Sequence, residues 1–290
     1  MPAVADDQIP RGRRLSIIAA GAVAADRAML TCCRHTLIGG QRMAATATAQ
    51  AIAADPALVD ELVAANRILY DQGVVDGFGH VSVRHDKEGE RFLLARSMAP
   101  GLVTAADIMQ FDRDGEPIDA AGRTPYLERF IHSEIYKTRP DIRAVVHSHS
   151  PSVIPFGVVT TPLQPIYHMS GFLGAGVPIF EIREAGGPAT DMLVRDPALG
   201  AALARILGQC AVALLRGHGN VVVGESIREV VFRAVYTETN ARLAADALRL
   251  GQGRAVFLNE AEAQAATQTN RAQIGRAWDL WKAKVLGAAG

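Results

Sequence analysis

The sequence predicts an α/β protein in which a mixed or antiparallel sheet lies between layers of helices. Short β-rich runs separated by turn residues indicate hairpins. Amphipathic helical patterns stand between these runs through most of the chain. Hydrophobic residues make up 49% of the 290 residues, enough to cover both faces of such a sheet.

The charge composition argues against nucleic acid or an anionic membrane as a partner. Lys and Arg number 30, as do Asp and Glu, and no basic block stands out. No apolar run is long enough to cross a bilayer. The three cysteines, Cys32, Cys33 and Cys210, form no disulfide framework, which favours a reducing, cytoplasmic setting.

The N-terminal segment differs in composition from the rest of the chain. Residues 1–42 mix Pro, Gly and Arg with Ala-rich pieces that lack helix caps. Arg13-Arg14 before an apolar run weakly resembles a twin-arginine export signal. We expect instead that residues 1–50 are a disordered extension or precede the natural start, for which Met43 is a plausible position. Residues 51–290 are then the folded domain, with a C-terminal helix.

Caps and periodicity place the elements from Asp55 onward. Asp55-Pro56 is a good helix start, followed by an apolar stripe that ends at Gly73. Val81 and Val83 alternate with polar residues, as in a half-buried strand after a glycine turn. Further helices are expected at 126–139, 197–207, 226–250 and 260–286, a short one at 151–158, and further strands at 91–96, 108–111, 117–118, 143–150, 178–182, 210–215 and 221–224.

Three histidines form a candidate metal site. His147 and His149 are two residues apart on a predicted strand, so their side chains project from one face. His218 stands between two glycines at the end of another strand, where the backbone can bend. Three neutral nitrogen ligands with an open position are typical of a catalytic metal, not a structural one.

These motifs, in this order, resemble the class II aldolase/adducin family. The resemblance is carried by Gly79–Arg84, the helix with Glu128, the Val146–His149 strand and Arg216–Gly219, and it spans about residues 58–251. It implies a three-layer α/β/α fold with a mixed, mostly antiparallel sheet. It also implies a homotetramer with active sites at subunit interfaces.

The resemblance assigns roles to the motif residues. It implies that His147, His149 and His218 bind one divalent metal per subunit, manganese or zinc, although three imidazoles can also hold iron. Glu128 matches the acid/base carboxylate of the family. A carboxylate beside a divalent cation can exchange a proton with a carbanion that the cation stabilises.

The residues before Glu128 disfavour a sugar phosphate as the substrate. Family members that bind sugar phosphates have two serines there, whereas this chain has Tyr126 and Leu127. The chain is more similar to a decarboxylase branch that acts on hydroxylated aromatic or pyridine carboxylates, such as 3-hydroxy-2-methylpyridine-4,5-dicarboxylate and dihydroxyphthalate. The similarity is carried by residues 126–132, 168–172 and 235–238.

In a decarboxylase of this type, the metal would chelate a carboxylate and the adjacent hydroxyl, and Glu128 or Tyr236 would return a proton to the ring. Arg84, Arg96 or Arg216 is expected to hold a second carboxylate as a fork. The small-molecule carboxylate is expected to contact His80, Ser97, Arg84, Tyr126 and His168. His132 is expected to support Glu128 from one helical turn away, and His35 and His85 are expected at the surface.

Three alternatives remain open from the sequence. The first is a sugar-phosphate aldolase or epimerase of the class II type. The second is a non-haem iron oxygenase, because three histidines can hold iron. The third is a non-catalytic adducin-like domain, against which the intact histidine set and Glu128 argue.

Overall fold

The computed structural model describes residues 50–287; the predicted extension, with Cys32, Cys33 and His35, lies outside these residues. The described chain contains a seven-stranded sheet with helices on both faces, which confirms the predicted fold class. The strands are β1 (His80–Arg84), β2 (Phe92–Ala95), β3 (Ile108–Phe111), β4 (Ala144–Ser148), β5 (Ile179–Phe180), β6 (Val212–Leu215) and β7 (Gly219–Gly224).

The sheet is mixed and mostly antiparallel, as expected. Its strand order is β3-β2-β1-β4-β7-β6-β5. Only the edge pair β5 and β6 is parallel, and the other neighbours run antiparallel. Short hairpin connections account for the β1–β2 and β6–β7 pairs, whereas the β1–β4 and β4–β7 pairs join strands that are far apart in sequence.

Helices form a layer on each face of the sheet. One apolar cluster joins α1, α5 and α7 to one face, and a second joins α2 and α4 to the other. The helices are α1 (Pro56–Asp71), α2 (Arg129–Thr138), α3 (Arg183–Gly186), α4 (Pro197–Leu207), α5 (Ile227–Leu250), α6 (Glu260–Arg271) and α7 (Ile274–Leu286).

The predicted helix starts are confirmed where the sequence offers a cap. The side chain of Asp55 accepts a hydrogen bond from the Ala57 N–H, and Pro56 opens α1. Ser226 accepts from the Glu229 N–H at the start of α5. These side chains satisfy amide groups that have no partner inside the helix.

Other predicted boundaries are wrong. The helix expected to begin at Tyr126 begins at Arg129, so Glu128 occupies the cap position before the first turn. The single C-terminal helix is two helices, interrupted at Ala272-Gln273. The predicted strand at 117–118 is reduced to an isolated bridge between Phe111 and Pro117.

His85 is also not the surface residue that the sequence suggested. Its side chain is fully buried, and Nε2 lies 2.9 Å from the Ile52 carbonyl oxygen. Its Nδ1 accepts a hydrogen bond from the Lys87 N–H, which identifies the tautomer as Nε2–H. His85 therefore ties the segment before α1 to the end of β1.

The register of the central strands places polar residues together. His80 of β1 is paired with His147 of β4, and Ser82 with Val145. Because alternate residues share a face, Val81 and Val146 join the α1/α5/α7 cluster instead. One face of the two strands thus carries Val81, Val83 and Val146, and the other carries His80, Ser82 and His147 together with Val145.

Candidate active site

Four predicted residues meet at the end of β4. His147 is on the strand, His149 follows it, His218 lies between β6 and β7, and Glu128 immediately precedes α2. Each offers one ligand atom, and these atoms all lie within 4.8 Å of one another. We call this set the His/Glu cluster. The wide sequence separation between His149 and His218 is closed by the antiparallel pairing of β4 with β7.

Two glycines allow this close approach. A Cβ atom at Gly219 would overlap the Ser148 carbonyl oxygen. Gly79 has φ of +97°, and a Cβ there would lie 2.6 Å from Cγ1 of Val75 and 3.1 Å from the His147 carbonyl oxygen. The backbone beside the cluster therefore leaves no room for a side chain at these two positions.

A hydrogen bond directs the free nitrogen of His147 toward the His/Glu cluster. Its Nδ1 lies 3.1 Å from the Asn220 carbonyl oxygen, which can only accept, so Nδ1 carries the proton and Nε2 carries the lone pair. Nε2 is buried without a hydrogen-bond partner and lies 3.4 Å from Oε2 of Glu128. A buried lone pair without a donor is costly unless a cation or a polar ligand occupies the space before it.

The other ligand atoms are equally close. Nε2 of His149 and Nε2 of His218 lie 2.9 Å apart, and Oε2 of Glu128 is 3.7 Å from Nε2 of His218. Three imidazoles and one carboxylate suit a divalent cation such as zinc, manganese or iron. The three imidazoles present therefore fit the metal that the sequence predicted, and the Glu128 carboxylate lies beside them.

Burial favours the neutral form of His149 and His218, whereas the facing histidines favour the charged form of Glu128. Desolvation lowers the pKa of His218 to about 4, and it lowers the pKa of His149 as well. For Glu128, desolvation raises the pKa, but the facing His147 and His218 lower it by more, so it lies well below its usual range. Neutral imidazole and ionised carboxylate are the forms that bind a metal.

A pocket of about 370 Å³ opens beside the cluster. Its polar lining includes Glu128 and His149 together with the predicted substrate contacts His80, Ser97 and Tyr126. Its apolar lining comprises Phe78, Met98, Ala99, Leu127 and Leu193. None of the described residues that line it is Lys or Arg. The pocket is thus largely apolar, with a few convergent polar groups at one end.

Backbone hydrogen bonds fix two side chains that line the pocket, Tyr126 and Glu128. The Tyr126 hydroxyl donates to the Met98 carbonyl oxygen, and its ring lies 4.6 Å from that of His80, centroid to centroid. Oε1 of Glu128 accepts a hydrogen bond of 2.9 Å from the Val194 N–H. This bond orients the carboxylate, and no pattern near Val194 indicated it from the sequence.

Arg84, in contrast, is not brought to the pocket. It is at the far end of β1, where its guanidinium donates to the carbonyl oxygens of Ile142, Gly89, Tyr136 and Arg139. These bonds occupy the donors that a substrate carboxylate would need. The expected substrate contact at Arg84 is corrected to a structural role for this reason.

The two other candidate arginines are also engaged elsewhere. Nε of Arg96 lies 2.7 Å from Oδ1 of Asp107, and Nε of Arg216 lies 2.7 Å from Oε2 of Glu181. Neither lines the pocket. The described chain therefore offers no arginine fork to a second carboxylate, contrary to expectation.

Tyr236 and His168 lie away from the cluster of their own chain. Tyr236 packs against Phe232 and Trp281 in the apolar layer of α1, α5 and α7. His168 is exposed, and its carbonyl oxygen accepts a hydrogen bond from Asn270. Neither side chain lines the pocket, so a role for either would require a second subunit.

His132 contacts a different partner from the one expected. Its Nε2 lies 2.6 Å from Nδ1 of His80, and its Nδ1 lies 2.6 Å from Oγ of Ser82. It supports His80 and makes no hydrogen bond to Glu128. Ser82 was not among the residues predicted for the site, although its side chain lies on the same strand face as that of His80.

Comparison with known proteins identifies the family. Residues 60–245 match the model of the class II aldolase and adducin N-terminal domain. The chain belongs to this family. A decarboxylase of Talaromyces stipitatus, tropJ, is 37% identical over 75% of this chain and 90% of its own length. The 3,4-dihydroxyphthalate decarboxylase of Terrabacter is 33% identical, covering 67% of this chain and 83% of its own length.

Solved structures confirm the fold. The L-fuculose 1-phosphate aldolase of Glaciozyma antarctica superposes with a TM-score of 0.66 at 23% identity, over 83% of this chain and 96% of that one. At this identity the likeness shows the fold alone. Together, family and relatives identify the chain as a lyase-type enzyme, with decarboxylation favoured over aldol cleavage. Within residues 50–287, no helix is long and apolar enough to cross a membrane.

Proposed function

We propose that this chain is a divalent-metal-dependent decarboxylase of a hydroxylated aromatic or pyridine carboxylate. The observation that carries the proposal is the composition of the pocket beside the His/Glu cluster. Leu127 and Tyr126 occupy its wall, and no lysine or arginine lines it among the described residues. Such a lining favours a flat, apolar ring over a phosphate, which requires several charged or small donors.

The residues that would hold the metal are His147, His149 and His218. When bound, manganese or zinc would chelate a carboxylate and its neighbouring hydroxyl and withdraw electrons from the ring. The lone pair of His147 is already directed by the Asn220 carbonyl oxygen. The family and the decarboxylase relatives support this assignment, including the 3,4-dihydroxyphthalate decarboxylases.

Glu128 would move the proton. As an ionised carboxylate it can accept the proton of the substrate hydroxyl, which increases the electron density of the ring. The same proton then passes from Glu128 to the ring carbon that bears the carboxylate, and the ring takes its keto form. The C–C bond breaks, carbon dioxide leaves, and its electron pair restores the aromatic ring with a negative charge on the hydroxyl oxygen. The Glu128 carboxylate is regenerated, and the oxygen of the product takes up a proton from solvent. The Val194 N–H holds Oε1 during this exchange, which leaves Oε2 directed toward the cluster.

The apolar wall would orient the ring and exclude water. Phe78 and Leu127 are 68% and 62% exposed in the single chain, although both line the pocket. Large exposed apolar side chains at the mouth of a site are typical of an interface. We therefore propose a homotetramer in which a second subunit covers this mouth, and we retain Tyr236 and His168 as residues that a neighbour would contribute.

The test measures metal content and carbon dioxide release from the purified protein. We expect bound manganese or zinc and release of carbon dioxide from 3,4-dihydroxyphthalate or a related hydroxyaryl carboxylate. L-fuculose 1-phosphate serves as the comparison substrate. A metalloprotein that cleaves the sugar phosphate and leaves all hydroxyaryl carboxylates intact would refute the proposal, as would a protein without metal.

A further inference from the structure

A buried series of polar side chains leads from the pocket into the α2 side of the sheet. Nδ1 of His80 lies 2.6 Å from Nε2 of His132, whose Nδ1 lies 2.6 Å from Oγ of Ser82. Oγ of Ser82 lies 2.8 Å from the Tyr136 hydroxyl. All four side chains are nearly or fully buried. We call these residues the His80 relay; Glu128 and the metal ligands make no hydrogen bond to it.

The distances allow the relay to donate in two directions, because each contact joins groups that can donate or accept. In one direction Tyr136 donates to Oγ of Ser82 at 2.8 Å; in the other Ser82 donates to Tyr136, whose proton goes to the Arg143 carbonyl oxygen at 3.5 Å, the limit of a hydrogen bond. In the first direction Ser82 donates its own proton to Nδ1 of His132. His132 consequently carries its proton on Nε2 and donates it to Nδ1 of His80.

This direction of donation determines which ring nitrogen of His80 carries its proton. Because Nδ1 of His80 accepts, its proton is on Nε2, and Nε2 has no hydrogen-bond partner among the described residues. His80 lines the pocket, with its ring 5.1 Å from that of His147, centroid to centroid. Burial lowers the pKa of His132 to about 3 and raises the pKa of Tyr136, which keeps the imidazole neutral and the phenol protonated.

We infer that His132, Ser82 and Tyr136 are positioning residues that fix His80 as a hydrogen-bond donor to an anionic oxygen of the substrate. This inference rests on the proposed function and names the group recognised: a second carboxylate on the ring, away from the one that is lost. The described pocket offers that carboxylate no lysine or arginine, so a neutral N–H donor takes the place of the expected arginine fork.

In this arrangement Glu128 and His80 have opposite roles on the two sides of the pocket. Glu128 is an acceptor and proton carrier, whereas His80 is a donor with a fixed tautomer. A substrate with one carboxylate at the metal and a second at His80 would be held at both ends. A ring with a single carboxylate would lose the second contact alone, and this difference makes the inference measurable.

The tautomer is tested first, by nitrogen NMR of protein containing ¹⁵N-labelled histidine. The signals of His80 are identified by their loss in His80→Phe. We expect Nε2 to be protonated and Nδ1 to be bare. A protonated Nδ1 would overturn the inference, whatever the enzyme turns over, because the relay would then run in the opposite direction.

Binding is tested in a Glu128→Gln background, in which turnover is slowed. The probes are 3,4-dihydroxyphthalate and 2,3-dihydroxybenzoate, which lacks the second carboxylate. We expect His80→Phe to weaken binding of the dicarboxylate about 10- to 100-fold, the range for a lost hydrogen bond to a charged group, and to leave the monocarboxylate nearly unchanged. Equal weakening for both probes, or for neither, would contradict the inference.

Matched variants separate positioning from simple loss of packing. His132→Phe is expected to weaken dicarboxylate binding and to mix the two tautomers of His80 in the nitrogen spectrum. His132→Gln has an amide N–H that can donate to Nδ1 of His80. It is expected to recover part of the dicarboxylate affinity and part of the preference for one tautomer of His80. Ser133→Ala removes a neighbouring buried hydroxyl that has no hydrogen-bond partner, and should change neither.

The two hypotheses fail in distinguishable ways. If the wild-type protein binds neither probe, the proposed substrate class is wrong, while the nitrogen spectrum still decides the direction of the relay. If it binds both probes with equal affinity and His80→Phe has no effect, the substrate class stands and the role of His80 is wrong.

Discussion

The two faces of β1 and β4 differ sharply in composition, although they belong to the same ten residues. Val81, Val83 and Val146 point into the apolar layer of α1, α5 and α7. The alternate residues His80, Ser82 and His147 face the other side. One face therefore stabilises the fold through burial of hydrocarbon, and the other carries polar groups whose burial is costly unless they are paired.

This difference explains how a rigid site can be built inside a sheet. The buried valine side chains stabilise the strands and need no hydrogen-bond partners. The polar face can then hold an unpaired lone pair on His147 and a directed N–H on His80. We therefore expect substitutions on the polar face to change activity and substitutions on the valine face to change the free energy of unfolding.

The largest effect is expected for His147→Ala. Removal of a ligand should abolish metal binding and reduce activity by more than the about 10- to 100-fold typical for residues that merely support a ligand. Metal analysis and carbon dioxide release measure the two effects. Full metal content in this variant would show that the polar face does not hold the metal.

Glu128→Gln should come next. The amide keeps the size of the side chain and can retain the bond to the Val194 N–H, but it cannot accept a proton. We expect kcat to fall about 10²- to 10⁴-fold while the metal content stays unchanged. Glu134→Gln, on α2 in an ion pair with Lys137 and outside the pocket lining, is the matched control. Full turnover by Glu128→Gln would remove Glu128 from the mechanism.

Val146→Ala probes the neighbour of His147 on the opposite face. Val146 is fully buried, so the loss of two methyl groups should lower the free energy of unfolding by about 2 kcal/mol. Metal content and turnover per folded molecule should not change. Chemical denaturation measures the stability. Loss of metal at unchanged stability would contradict the division between the faces.

Arg84→Lys is expected to have the smallest effect. A lysine cannot reproduce the bonds to four carbonyl oxygens, and the free energy of unfolding should fall by about 1–2 kcal/mol. Because Arg84 lies away from the pocket, KM should stay at the wild-type value. Arg96→Lys, in an exposed ion pair with Asp107, should cost about 0–1 kcal/mol. A raised KM in Arg84→Lys alone would restore its role in binding.

The sequence was sufficient for the layers of the fold and for the residues of the His/Glu cluster. Periodicity placed α1 and α4, and the caps at Asp55 and Ser226 marked where α1 and α5 begin. The spacing of His147 and His149 indicated one strand face. These features are local, so they can be recognised without knowledge of tertiary contacts.

The relay could not be predicted, because it depends on contacts across the sheet. Ser82 and His80 are on one strand, whereas His132 and Tyr136 are on a helix one turn apart. Only the packing of α2 against β1 brings them together. The start of α2 was likewise predicted at Tyr126 instead of Arg129. The Val194 N–H that binds the Glu128 carboxylate could not be predicted either, because it comes from a distant loop.

The glycines beside the cluster set a limit on how this enzyme can be redesigned. At Gly219 a Cβ would overlap the Ser148 carbonyl oxygen, and at Gly79 it would press on Val75 and on the backbone of His147. A library randomised for new substrates should therefore return glycine at these two positions in every active clone. Diversity is better directed to Leu127 and Phe78, whose side chains are exposed and line the pocket.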